Sequence, residues 1–115
     1  MTPDRRRELL EAGRAAYNQG DFYEAHEHWE EVWLTLEDPE HRWLQGLIQV
    51  ATGFHKLVQG RESPATTLLT RALAKLGDAP GAWEGLDVEG ARRAARDMLD
   101  GLGRGELPDP RGTRV

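Results

Sequence analysis

Apolar residues recur along the chain at intervals of three and four, which is the spacing of one buried face of an α-helix. The first such face consists of Leu9, Leu10, Gly13, Ala16 and Tyr17. Thr2-Pro3 precedes it, and this pair favours a helix start because Thr can accept a bond from a free N–H group and Pro is tolerated in the first turn. Gly20 follows it and is suited to end a helix. The pattern predicts a first helix from about 3 to 19.

The same start and stop signals return along the chain and predict four more helices. In order, Asp21 caps a helix that runs to about Leu36, Asp38-Pro39 opens one that ends at Gly60, Ser63-Pro64 opens one that ends at Gly77, and Asp87 caps the fifth. The intervening segment 78–86 is rich in helix breakers. Because it also carries Trp83 and Leu86, we expect this loop to lie against the core.

The predicted fifth helix has one apolar face and an arginine-rich exterior. The apolar face consists of Val88, Ala91, Ala95, Met98, Leu99 and Leu102, and the arginines placed outside it are Arg92, Arg93 and Arg96. Residues 105–115 lack a periodic apolar pattern. The sequence therefore predicts a single helical domain over 1–104, followed by an extended or disordered tail.

The chain contains an internal repeat with a period of 40 residues. Gly20 is followed by Ala25, Trp29, Val32 and Trp33 at the offsets at which Gly60 is followed by Ala65, Leu69, Ala72 and Leu73. A small residue at one offset in both copies favours close packing of paired helices. The predicted fold is therefore all-α: a bundle of about five helices, built from two antiparallel hairpins and a C-terminal helix.

Composition narrows the classes of function. With 38% hydrophobic and 30% charged residues the chain is typical of globular proteins, and no apolar run approaches the roughly 18 residues of a membrane span, so we expect a cytoplasmic protein without membrane contact. The net charge of −5 makes a nucleic-acid partner unlikely to fit. No cysteine is present, which leaves imidazoles and carboxylates for any metal. Asn occurs once, at Asn18, which would suit a heat-tolerant protein.

The second helix carries the candidate chemistry. On a helical wheel His26 falls in the middle of an apolar stripe with Phe22, Trp29, Trp33 and Leu36, and Tyr23, Glu27 and Glu30 fall on its shoulder. An antiparallel third helix would bring Gln45, Gln49, Thr52 and His55 opposite them. Buried polar groups need partners, so this cluster requires an explanation.

Three hypotheses explain the cluster. It is a closed hydrogen-bond network that fixes the packing, or a pocket for a small molecule or a protein partner, lined by Tyr23, His26, Glu27, Glu30, Gln45, Gln49 and His55. The third is a hydrolase-like centre in which His26, Glu30 and His55 bind a divalent transition metal and Glu27 is the general base. No motif requires a metal, because Glu30 stands where H-E-x-x-H needs its second His. Whether the domain is a homo-oligomer stays open.

Three segments of the chain resemble a known family. They are N-Q-G-D-F-Y-E-A-H-E-H-W-E-E-V-W at 18–33, R-W-L-Q-G-L-I-Q-V-A-T-G-F-H at 42–55, and G-x-x-x-x-A-x-x-L-L-x-x-A-L at 60–73. They resemble the prokaryotic domain of unknown function 309, over about residues 14–77. The resemblance implies a small all-helical domain without an assigned activity, with signature positions Phe22, Tyr23, Glu24, His26, Glu27, Glu30, Trp33, Gln45, Gly46, Gln49 and His55. It supports the location of a site and implies no reaction.

Overall fold

The computed structural model describes residues 1–115 and contains five α-helices. They are α1 (Pro3–Asn18), α2 (Phe22–Trp33), α3 (Glu40–Val58), α4 (Glu62–Lys75) and α5 (Val88–Gly103). The segment before α5 contains two short antiparallel strands, β1 (Ala82–Trp83) and β2 (Leu86–Asp87). The predicted all-α fold of five helices is confirmed, and this small hairpin is added to it.

The helices form two hairpins, α1 with α2 and α3 with α4, which are joined where α2 packs on α3. Gly20 and Gly60 occupy the two hairpin turns with φ of 85° and 75°, values that favour glycine because it has no Cβ. Ala25 and Ala65, five residues later, are both fully buried. The predicted 40-residue repeat thus corresponds to two similar hairpins, and α5 covers α4 and part of α3.

A single hydrophobic cluster of 25 buried residues runs through all five helices and the β hairpin. Trp83 and Leu86 belong to it, as predicted for the loop before α5. Within α1 and α2, the Trp29 indole N–H donates to the Leu10 carbonyl at 3.2 Å. No helix is long and apolar enough to cross a membrane.

Several predicted helix ends need correction. α2 ends at Trp33, about one turn before the predicted Leu36, and α4 begins at Glu62, so that Ser63-Pro64 lies inside its first turn. Asp21 occupies the N-cap position of α2, but its side chain makes no capping bond. Thr2 and Asp87 form the predicted caps, because their side chains accept from the N–H groups of Arg5 and Gly90.

The C-terminal region differs from the prediction at Arg92. This residue is buried inside the molecule instead of lying on the outer face of α5. The tail after α5 has no helix or strand, and its end packs against α1. There the Val115 N–H donates to the Asn18 side chain at 2.8 Å.

Candidate functional site

The buried face of α2 is rotated relative to the predicted one. Its buried residues are Phe22, Ala25, Trp29 and Val32, and the side chain of His26 is 17% exposed at the margin of this face. The prediction that His26 lies in the middle of the buried stripe is wrong. The reason is that α2 is covered by α1 on one side and α3 on the other, so the small Ala25 faces the centre, where large aromatic residues had been expected.

Three ring side chains meet at the N-terminal end of α2. The centroid of the Tyr23 ring lies 4.7 Å from that of His26 and 5.4 Å from that of His55, which comes from α3. Tyr23 is 53% exposed, so this group lies at the surface. Burial lowers the pKa of His55, and the charges of Lys56 and His26 lower it further.

His26 is held within its own helix. Its Nδ1 donates to the backbone carbonyl of Tyr23, because a carbonyl can only accept. Its Nε2 lies 3.6 Å from Oε2 of Glu30, one turn later on α2. In the neutral ring, Nε2 therefore carries the lone pair and faces a carboxylate.

A cleft of about 210 Å³ lies between α2 and α3, two turns from the ring group. It is lined by Glu30, Trp33, Gln45, Ile48 and Gln49. The indole N–H of Trp33 and the side-chain oxygen of Gln49 are both buried and have no hydrogen-bond partner. One donor and one acceptor of this cleft are therefore unsatisfied.

The indole of Trp33 is fixed in position by a neighbouring ring. His41 stacks on it with ring centroids 4.4 Å apart and an angle of 22° between the planes. Because one face of the indole is covered by this imidazole, the N–H edge and the opposite face remain for other contacts. Trp33 is half-buried, in keeping with its place at the edge of the cleft.

The closed hydrogen-bond network predicted between α2 and α3 is not formed. Thr52 donates to the carbonyl groups of Ile48 and Gln49 in its own helix, and His26 donates to that of Tyr23. No side-chain hydrogen bond joins α2 to α3. The polar residues between these helices are either bound within one helix or unpaired.

The predicted metal ligands and general base are not assembled into one centre. No three His, Asp or Glu side chains are arranged to hold a metal ion. Glu30 lines the cleft, whereas His55 belongs to the ring group near Tyr23. Glu27 is exposed, forms no ion pair or side-chain hydrogen bond and does not line the cleft.

Two comparisons with known proteins bear on this site. The family model described as Domain of unknown function (DUF309) matches residues 10–68, about half of the chain. The chain belongs to this family. An uncharacterized protein of Aquifex aeolicus (strain VF5) is similar to it, with 31% identity over 107 residues, which is 92% of this chain and 31% of that protein. The chain thus spans about a third of the length of this relative.

The DUF309 match confirms the resemblance inferred from the sequence, although its bounds differ from the expected 14–77. All five residues of the α2–α3 cleft lie inside the matched region, whereas α5 and the tail lie outside it. Sequence reasoning identified Glu30, Gln45 and Gln49, but it assigned Trp33 to the core and did not name Ile48 as a site residue. The signal that points to Trp33 is its indole N–H, which needs a partner wherever it is buried.

Proposed function

We propose that this DUF309 protein is a non-enzymatic module that binds a small molecule in the cleft between α2 and α3. The observation that carries the proposal is the pair of buried atoms without partners, Trp33 Nε1 and Gln49 Oε1. Both side chains line the same cleft, so one ligand can contact both.

The energetic argument rests on the cost of unpaired polar groups. Each buried donor or acceptor that lacks a partner costs about 1–3 kcal/mol, and an apolar side chain of similar shape avoids this cost. A molecule that offers an acceptor to Trp33 and a donor to Gln49 would recover the lost free energy on binding. With Ile48 and the indole as apolar walls, the cleft combines the features of small-molecule sites.

The metal-dependent hydrolase hypothesis lacks comparable support. Its three ligands are divided between two places along α2 and α3, and Glu27 is at neither of them. The geometry therefore favours binding without assigning a reaction.

The substitution Gln49→Met tests the proposal through stability and binding together. Because Met has a similar length and no acceptor, we expect the variant to be more stable by about 1 kcal/mol in denaturant unfolding. Acetamide, urea and ethanol are the probes, followed through the Trp33 indole N–H signal in NMR spectra. We expect at least one of them to shift this signal in the wild type and to shift it less in the variant.

Gln59→Met is the matched control, since Gln59 lies exposed at the end of α3. It should change the probe response of Trp33 little. A loss of stability of 1 kcal/mol or more in Gln49→Met, with no probe shifting the Trp33 signal in the wild type, would mean that Gln49 has a structural role and would overturn the proposal.

A further inference from the structure

The chemistry of the α2–α3 cleft narrows the class of its ligand. We propose that the ligand is a small organic cation, an ammonium or amidinium compound with a carbonyl acceptor close to its charged nitrogen. This inference rests on the proposed function, since it concerns the same cleft. It adds the charge of the ligand and the residue, Glu30, that recognises this charge.

The first argument is the distribution of charge along the chain. Residues 21–40 contain eight Asp or Glu and no Lys or Arg, whereas the rest of the chain contains twelve acidic and fifteen basic residues. The residues of α3 that line the cleft, Gln45, Ile48 and Gln49, are uncharged. The cleft thus lies at the acidic part of an otherwise slightly basic chain, where a cation is favoured and an anion is repelled.

The second argument is that Glu30 has no cationic partner among the Lys and Arg residues. Its only ionic neighbour is the imidazole of His26, at 3.6 Å, and in the neutral ring the nearby Nε2 offers no proton. The nearest candidate on α3, Arg42, is instead bound in a two-pronged contact by Asp78. The carboxylate of Glu30 is half exposed and remains able to accept from a ligand.

The third argument is the balance of donors and acceptors. The Glu30 carboxylate and the Gln49 oxygen both accept, while the Trp33 indole donates a single N–H. A ligand that satisfies all three must carry at least two N–H donors and one acceptor. An ammonium or amidinium group supplies the donors and forms the stronger, charge-assisted bond to a carboxylate.

The volume of the cleft sets the size of the ligand. About 210 Å³ corresponds to on the order of seven water molecules, at roughly 30 Å³ for each. This space accepts an amine with a neighbouring amide but is too small for a nucleotide. The proposed class is therefore that of compact amino amides and related amidines.

Three probes of nearly the same shape separate the contributions of charge and acceptor. Glycinamide carries an ammonium and a carbonyl, propionamide replaces the ammonium with a methyl group, and isobutylammonium replaces the amide with two methyl groups. We expect glycinamide to bind about tenfold more tightly than either, because each of the others loses one polar contact. Affinities are measured by NMR titration of the full chain, from the Trp33 indole and Gln49 amide signals.

The variants Glu30→Gln and Glu27→Gln locate the contact with the charge. Both remove one negative charge from α2, but only Glu30 lines the cleft. We expect Glu30→Gln to weaken glycinamide about tenfold and to leave propionamide unchanged, whereas Glu27→Gln changes neither.

The outcomes distinguish this inference from the proposed function. If propionamide binds as tightly as glycinamide, or if Glu30→Gln has no effect on glycinamide, the cation class is overturned and small-molecule binding stands. Equal weakening by Glu27→Gln would overturn the assignment of the contact to Glu30. If none of the three probes shifts the signals of Trp33 and Gln49, the inference and the proposed function both fail.

Discussion

Arg92 shows how a single buried cation serves two elements. Its guanidinium donates to the carbonyl groups of Leu76 and Ala79, at 2.6 and 3.0 Å, and its Nε donates to Glu89 at 2.9 Å. The last carbonyl groups of a helix have no partners within it, so Arg92 completes the end of α4. The pattern along α5 placed this residue outside, because a helical wheel contains no information about the neighbouring helix end.

Replacing Arg92 with Met keeps most of the aliphatic chain and removes the guanidinium. We expect the free energy of unfolding to fall by about 2–4 kcal/mol, since the carbonyl groups of Leu76 and Ala79 lose their charged donor while buried. Denaturant unfolding measures the change. Arg93→Met is the control on the same helix, and because Arg93 is exposed its effect should stay within about 0.5 kcal/mol. Equal losses in the two variants would contradict the role given to Arg92.

The same limit explains which site residues the sequence could identify. Glu30 and Gln49 stood out because polar residues beside an apolar stripe require partners, and both line the cleft. Trp33 did not, since its position on the stripe suggested only packing and its unpaired N–H depends on the arrangement of atoms around it. His26 is satisfied by the carbonyl of Tyr23 within one turn, a local bond that a wheel does not represent.

At the scale of elements, α1 and α2 are fitted together through Gly13. The Trp29 indole lies directly over this glycine, and a Cβ added there would be 2.2 Å from the indole nitrogen. The same nitrogen donates to the Leu10 carbonyl, so the position of the ring is fixed from both residues. The close approach of α1 to α2 therefore depends on the absence of a side chain at residue 13.

Gly13→Ala sets a gain in helix propensity against a steric clash. Propensity alone would favour Ala by about 1 kcal/mol, but displacing the buried indole costs more, so we expect a net loss of about 1–3 kcal/mol in the free energy of unfolding. The paired experiment is Gly103→Ala at the end of α5, where a Cβ would meet nothing within 4 Å. That variant should be neutral or more stable by up to about 1 kcal/mol. A stabilised Gly13→Ala protein would show that α1 and α2 adjust freely.

The helices themselves were largely predictable, since capping residues and apolar periodicity act locally. Thr2 and Asp87 form the caps that their residue types predict. Asp21 does not, because its N–H is already bound to the Ala16 carbonyl in the hairpin turn and its ψ of 67° lies outside the extended region that capping side chains use. The failure at Asp21 arises from two helices sharing one tight turn.

At the scale of the whole molecule, polar contacts fasten the C-terminal part onto the two hairpins. Arg6 of α1 pairs with Glu40 of α3 and with Glu84 of the β turn, at 3.4 and 3.1 Å. The Trp83 indole N–H donates to the same Glu40 carboxylate at 2.6 Å. These residues are far apart in sequence, so local patterns predicted the five helices and their hairpins but not the way in which the β hairpin closes over them.

Asp78 makes a second contact of this kind, and its ionisation links the assembly of the fold to pH. Its carboxylate accepts from the Arg42 guanidinium and, at 3.2 Å, from the Trp43 indole, both on α3. The bond to Arg42, aided by that to Trp43, lowers the pKa of Asp78 from 3.8 to about 2. A carboxyl group whose pKa is lower in the folded state adds stability above its ordinary pKa, and this stability is lost as the pH falls towards the folded value.

Asp78→Asn should therefore lower stability at pH 7, and its deficit relative to the wild type should be constant down to about pH 4. Between pH 4 and pH 2 the deficit should shrink, because the wild-type carboxylate takes up a proton and loses the same ionic contacts. Urea unfolding midpoints at several pH values measure this deficit, with Asp97→Asn as the control for an exposed carboxylate outside any ion pair. A deficit that stays the same from pH 7 to pH 2 would mean that the geometry of the Asp78 side chain, and not its charge, holds α3 to the segment after α4.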